Sequence, residues 1–499
     1  MKKLVVLCLA LFSSLLVACK SQQNGDKLQI VTTFYPVYEF TKQIVGDEAD
    51  VQLLVAAGTE VHDYEPSAKA VANIQDADVF VYENENMETW VPNTLKNVNT
   101  NKVHVVKATE NMVLLPGSEE EDHDHEGGED HHHAYDPHVW LSPQRAKVML
   151  ANIRDSLVAQ YPDKKEKFEK QASDYMAKLD ELDKSYQNAF ANAKQKNFIT
   201  QHAAFRYLAL DYGLNQISIS GLSPDKEPSA SRLAELTKYI KDNQIKYIYF
   251  EENASPAVAS TLSKETGVTL DVLNPIESLT EEQTKAGEDY LSIMKSNLVA
   301  LEKTTSQAGG DVKQEVEENT QTVANGYFKD EDVKDRSLSD YEGKWQSVYP
   351  LLENGTLDQV FDYKAKLKKD KTAAEYKAYY QKGYQTAISE IDIKGDAMTF
   401  IVNGEKKTYH YKYAGKHTLT YKKGNRGVRY LFEATEADAG EYKYIQFSDH
   451  QIAPSKAAHF HIFMGGESQD ALYQQLENWP TYYPSGMTGF EIAQEMMAH

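Results

Sequence analysis

The 499-residue chain is nearly without cysteine, having only Cys8 and Cys19. Cys8 lies in an N-terminal apolar stretch expected to be cut away, so Cys19 would stand alone and no internal disulfide can form. Thiolate metal sites go with it, and any metal must be held by His, Asp and Glu. Positive charge is short as well: 53 Lys and Arg stand against 75 Asp and Glu, for a formal net charge of -22. That balance speaks against a nucleic-acid partner and against electrostatic attachment to anionic lipid. A membrane-spanning run is also lacking at the N-terminus, where the apolar stretch at residues 4–17 is too short for one.

What that end does carry is Met1-Lys2-Lys3, the apolar stretch, and then Leu16-Val17-Ala18-Cys19. A short basic start, an apolar core of this length and a small residue before Cys make a secretory signal over residues 1–18. The Leu-x-Ala-Cys ending resembles a bacterial lipobox, which implies cleavage before Cys19 and lipidation of its thiol. Residues 19–27 would then be a polar tether, and the acyl group would hold the protein at the extracellular face of the bacterial cytoplasmic membrane. An exported, acidic, tethered protein is suited to binding small solutes or cations.

The most unusual stretch runs from residue 119 to 133. His123, His125, His131, His132 and His133 sit there among Asp, Glu and Gly with no apolar residue to anchor them, so a loop is expected. Imidazoles and carboxylates at short spacing are ligands for a borderline-soft divalent cation, and an unanchored array would hold several ions weakly as an auxiliary site.

Strands alternate with helices from residue 28 onward: strands at 28–34, 51–55 and 79–82, helices at 37–44 and 67–75. Such alternation predicts a parallel sheet covered on both faces, with ligands bound beyond the carboxyl ends of its strands. Phe168, Ala172, Tyr175, Met176, Leu179, Leu182, Tyr186 and Phe190 then recur at three- and four-residue steps, which predicts one long helix over 163–191. Strand and helix patterns resume to residue 273. The expected fold is therefore α/β, two lobes (about 28–160 and 194–302) joined by one long helix. A polar linker is expected over 303–326. Beyond it, a helical region is expected over 357–380. Tyr-rich segments at 398–402, 407–413, 417–422, 427–433, 442–448 and 458–464, several of them separated by turns such as Asn403-Gly404, predict antiparallel strands, so residues 327–499 read as a β-barrel with helical additions.

Four potential ligands fall at expected strand ends or before helix starts: His62, His138, His202 and Glu277. The segments around three of them, His62-Asp63-Tyr64-Glu65-Pro66, Asp136-Pro137-His138-Val139-Trp140 and Gln201-His202-Ala203-Ala204-Phe205, resemble the zinc-specific solute-binding lipoproteins of ABC importers, the ZnuA/AdcA type. The resemblance covers roughly residues 28–301. It implies that His62, His138 and His202 bind zinc, with Glu277 completing the site. Three imidazoles and one carboxylate suit tetrahedral Zn²⁺, and such a closed site favours binding over hydrolysis.

The C-terminal part carries Ser448-Asp449-His450 and His459-Phe460-His461-Ile462-Phe463-Met464. Residues two apart on a strand share a face, so His459 and His461 form a pair, and a folded-back strand would bring His450 beside them. Together with Gly343-Lys344-Trp345 and Trp479-Pro480-Thr481-Tyr482-Tyr483-Pro484, these residues resemble the zinc-binding ZinT proteins. That resemblance implies a lipocalin-like barrel whose His450, His459 and His461 bind a second zinc. The combined reading is a non-enzymatic, monomeric, lipid-anchored receptor that captures Zn²⁺ for an ABC permease and its ATPase. The alternative is a zinc-dependent hydrolase or hydratase using the C-terminal three-histidine site, although no His-Glu-x-x-His motif is present.

Overall fold

A computed structural model describes residues 27–117, 135–222, 228–252, 257–309, 322–421 and 424–498. The chain divides into two compact units. One holds the described residues up to Ala108, with Lys147–Lys178 and Ile276–Tyr290; the other holds Thr109–Ala146, Leu179–Pro275 and Leu291–His499.

The first unit is built on four parallel strands, β1 (Leu28–Thr32), β2 (Ala49–Leu53), β3 (Val79–Tyr82) and β4 (His104–Lys107), in the order β2-β1-β3-β4. Every residue of β3 is buried, as expected of a strand covered on both faces. Val31, Ile74, Phe80, Trp90 and Val91 pack into one cluster of its core. The helix Tyr35–Val45 buries Phe40 and Ile44 after β1. Ser67 accepts from the Ala70 N–H and so caps the helix Ala68–Asp76.

In the second unit β5 (Asn197–Thr200), β6 (Asn215–Ser218), β7 (Tyr247–Phe250) and β8 (Thr269–Val272) repeat the plan as a parallel sheet of order β6-β5-β7-β8. The helix Lys165–Phe190 follows a single 3₁₀ turn at Pro162–Lys164 and gives residues to both units. Its 26 residues span about 39 Å at 1.5 Å each. Phe168, Ala172, Tyr175, Leu179, Leu182, Tyr186 and Phe190 are all buried along it, which is the stripe the sequence periodicity predicts. The architecture is thus α/β, two lobes joined by one long helix, together with a barrel.

The barrel is closed by eight antiparallel strands: β9 (Gly343–Ser347), β10 (Ile388–Lys394), β11 (Ala397–Val402), β12 (Glu405–Thr420), β13 (Arg426–Ala434), β14 (Tyr444–Ser448), β15 (Phe460–Gly465) and β16 (Thr481–Pro484). Asn403 and Gly404, with φ of 51° and 83°, make the tight turn between β11 and β12. Trp345, Ile391, Phe400, Tyr430, Phe447, Phe460, Ile462 and Tyr482 fill the interior.

Four details differ from the sequence expectation. Strand β4 is short and partly polar and was not expected; it joins the sheet by pairing Val79–Tyr82 with His104–Lys107. Strands β9, β10 and β16 are likewise additional, and they close the barrel. The two strands expected near residues 407–413 and 417–422 are one, because the register shift between Tyr413 and Gly415 absorbs Ala414 as a bulge. The helical region expected over 357–380 is two helices, Asp358–Lys368 and Ala373–Tyr384, separated where Lys369 takes a left-handed φ of 54°.

Candidate metal centres

In the first unit His62 lies in the loop between β2 and the helix Ala68–Asp76. Glu60 folds back beneath it, Oε1 accepting from the N–H groups of Val61 at 2.9 Å and His62 at 3.0 Å. Glu277 follows Ile276, a fully buried β-branched residue held at φ 59°. That conformation costs about 1–3 kcal/mol and persists only where surrounding structure enforces it. Glu277 is thereby brought to His62, with Nε2 to Oε1 at 3.5 Å.

The second unit holds the other pair. His138 and His202 are both fully buried, and their Nε2 atoms face each other at 3.3 Å. His138 is set by Asp136, whose Oδ1 accepts from the His138 N–H at 3.0 Å and from Nδ1 at 2.9 Å. His202 follows β5, and its Nδ1 faces Glu251 Oε1. With both Nδ1 protons committed to carboxylates, both Nε2 atoms present lone pairs, an assignment made from the hydrogen-bond network. Two lone pairs this close repel unless a cation stands between them. Zn–N bonds of about 2.0–2.1 Å at the tetrahedral angle put neighbouring nitrogens roughly 3.3–3.4 Å apart, which is the spacing found. Carboxylates behind the rings also raise their basicity and fix their orientation. Trp140 closes one side, its ring 5.3 Å from that of His138 and its Nε1–H donating to Pro275 O at 2.8 Å.

Glu251 and Asp136 were not among the residues expected to serve the site. Asp136 stands in the motif that drew attention to His138, two positions before it. Glu251 directly follows β7, so the rule that singled out the other strand ends applied to it as well.

On the barrel, Phe460 and Ile462 point into the core, so His459 and His461 share the opposite face, as the two-residue spacing predicts. His450 follows β14 at φ 64° and turns back toward them. The three ring centroids stand 5.6, 5.6 and 5.7 Å apart, and one ligand atom of each lies within 4.8 Å of the others. His461 pairs across the strands with Thr481. Thr481 Oγ1 donates to Trp479 O at 2.9 Å, so it accepts from His461 Nδ1 at 2.7 Å and leaves Nε2 for a metal. His459 stacks on Tyr483 at 5.1 Å. Desolvation holds the His450 imidazolium below its ordinary value, partly offset by a hydrogen bond to the Ala324 backbone, so the ring is neutral at pH 7 as a ligand must be. The loop carrying it is held by buried Arg336, which donates to both Asp449 oxygens at 2.6 and 2.7 Å and to Ser455 O at 2.6 Å.

Cys19 and the loop histidines His123, His125, His131, His132 and His133 lie outside the described residues.

A histidine pair backed by carboxylates in a two-lobed α/β fold, joined to a barrel with three clustered histidines, defines a metal-binding protein of the solute-receptor class. The family described as "Zinc-uptake complex component A periplasmic" (ZnuA) matches residues 30–304, and "ZinT (YodA) periplasmic lipocalin-like zinc-recruitment" matches residues 319–499. The "Zinc-binding lipoprotein AdcA" of Streptococcus pneumoniae is 65% identical over the whole of both chains. The "High-affinity zinc uptake system protein ZnuA" of Bacillus subtilis is 52% identical over 56% of this chain and 88% of its own. The crystal structure of Zn(II)-bound AdcA from Streptococcus pneumoniae superposes with a TM-score of 0.87, covering 95% of this chain and all of that one. The chain belongs to the AdcA family of zinc-binding proteins.

Proposed function

We propose that this protein is an extracellular zinc receptor, lipid-anchored through Cys19, that captures Zn²⁺ and delivers it to an ABC permease and its ATPase. We infer His62, His138, His202 and Glu277 as the ligands of the first site, the set that the resemblance to zinc-specific solute-binding lipoproteins implies. His450, His459 and His461 form a second. The first site belongs to a domain over residues 28–302 and the second to one over 327–499, with 303–326 as linker. Residues 119–133 add an auxiliary, weaker array. The protein acts as a monomer and without a covalent step: release requires only that docking on the permease favours a conformation with lower zinc affinity.

The observation that carries this reading is the 3.3 Å spacing of two imidazole nitrogens whose opposite nitrogens are both held by carboxylates. The kinship with zinc-binding lipoproteins supports it. Metal titration with elemental analysis tests it. The parent should take zinc at both sets, His202→Ala should lose the tighter one, and His461→Ala should lose the other. Unchanged stoichiometry and affinity in His202→Ala would overturn the assignment of the first site.

A further inference from the structure

Three side chains of the barrel-bearing region hold one short piece of the second unit's backbone. In the helix Asp358–Lys368, Gln359 Nε2 donates to Asn111 O at 2.9 Å and Gln359 Oε1 accepts from the Val113 N–H at 3.1 Å. Tyr363 Oη donates to Val113 O at 2.8 Å and accepts from Arg145. From the helix Gly489–Ala498, Gln494 takes both groups of Leu114, accepting from its N–H at 2.7 Å and donating to its carbonyl at 2.8 Å. Residues 111–115 have no strand of their own to pair with here. The backbone groups of Val113 and Leu114 are satisfied by side chains more than two hundred residues away in sequence.

The same backbone leads to a metal-site histidine. The Leu115 N–H donates to Tyr207 Oη at 2.8 Å, and Tyr207 Oη donates to Asp136 O at 2.6 Å. Asp136 N–H donates to Leu115 O at 2.8 Å, and the Asp136 carboxylate holds both the backbone and Nδ1 of His138. Arg145 ties the two layers, its guanidinium 5.0 Å from the Tyr207 ring centroid and 4.4 Å from that of Tyr363. Asp211 receives Arg145 and, from the barrel-bearing region, Lys366 at 2.9 Å. Apart from the exposed bond between Gln359 and Asn111, every step from Gln359 to the imidazole is a directional bond between buried or half-buried groups, so displacing 113–115 displaces Asp136.

We propose that Gln359, Tyr363 and Gln494 are positioning residues for His138, acting through Tyr207 and Asp136, so that docking of the barrel-bearing region and zinc binding at the His138–His202 pair are thermodynamically linked. The proposal rests on that pair being a zinc site. Linkage is reciprocal: if the clamp favours the zinc-binding placement of Asp136, zinc must favour the clamp by the same factor. An intact clamp in the parent then serves the lobe site even though it contributes no ligand.

The test uses the full chain with zinc as the probe and His461→Ala as background, so that the barrel site is silent and the tight lobe site is read. Gln359→Ala/Tyr363→Phe/Gln494→Ala should lose deuterium-exchange protection at Val113 and Leu114 and weaken zinc roughly tenfold, the lower end for changes behind a ligand. Tyr207→Phe, which keeps the ring, should weaken zinc similarly while the amides of Val113 and Leu114 stay protected. In the background protein, zinc itself should increase protection of residues 111–115. Lys377→Ala, at an exposed ion pair with Asp358, should change neither quantity. Affinity unchanged in the triple variant or in Tyr207→Phe, or protection of 111–115 insensitive to zinc, overturns the proposal. Tight zinc surviving His202→Ala would instead remove the site on which the proposal rests, so the two failures are distinguishable.

Discussion

The two histidine sets differ in what stands behind the rings. In the second unit, His138 and His202 each have a buried carboxylate on Nδ1, Asp136 and Glu251. On the barrel, His461 has a neutral hydroxyl, Thr481, and His450 a backbone group of Ala324. The buried charge of the barrel set lies one step further back, where Arg336 and Asp449 hold the loop rather than a ring. A carboxylate on the far nitrogen makes an imidazole a stronger ligand, whereas a hydroxyl mainly orients it. If both sets take zinc as proposed, this difference predicts that the lobe set is the tighter, less exchangeable site and that the barrel set gives zinc up more readily.

The largest test of this ranking is at Arg336. Burial holds the Asp449 carboxyl above its usual range even beside the guanidinium, and Arg336→Met would leave it buried without that partner. A loss of about 3–5 kcal/mol is expected for breaking a buried pair, read as a lower thermal midpoint for the barrel transition and loss of zinc at His450, His459 and His461. If the barrel transition does not move, charge is not what holds the His450 loop.

Next comes Glu251→Gln, which keeps the shape and removes the charge. Affinity at the lobe site should fall by roughly 10–100-fold, measured by competition with a chelator, while the barrel site is unaffected. Thr481→Val should do less at the barrel, about a few-fold to tenfold, because only orientation is lost. Equal effects of the two changes would break the comparison.

The smallest expected effect is on pH dependence near Asp211. Burial acts to raise its carboxyl, but Arg145 and Lys366 prevail and hold it below the ordinary value of 3.8. A carboxyl lowered in the folded state stabilises above its unfolded value and loses that contribution as pH falls through the folded one. Thermal midpoints should therefore hold from pH 7 to about 4 and drop below it in part through this group. Asp211→Asn should lower the midpoint at pH 7 and flatten the acid limb; a variant with the parent's profile would show that the pair adds nothing.

Legibility in the sequence followed the range of the interaction. The helix Lys165–Phe190 was readable because its buried stripe repeats every three to four residues. His459 and His461 were readable as a pair because strand geometry puts them on one face. Strands β4, β9, β10 and β16 were not, since four to seven residues with mixed burial gain their identity from partners far along the chain.

The same boundary runs through the metal centres. Local chemistry, imidazoles among turn residues at strand ends and the near absence of thiols, singled out by itself the candidate side chains and limited the possible donors to nitrogen and oxygen. Which carboxylate reaches which ring was decided only in three dimensions: Glu251 is 49 residues from His202, and Gln494 is 380 from the backbone it grips. Periodicity records which face of an element is apolar, but the direction of a hydrogen bond between distant elements depends on how the whole chain packs, and no short stretch of sequence encodes that.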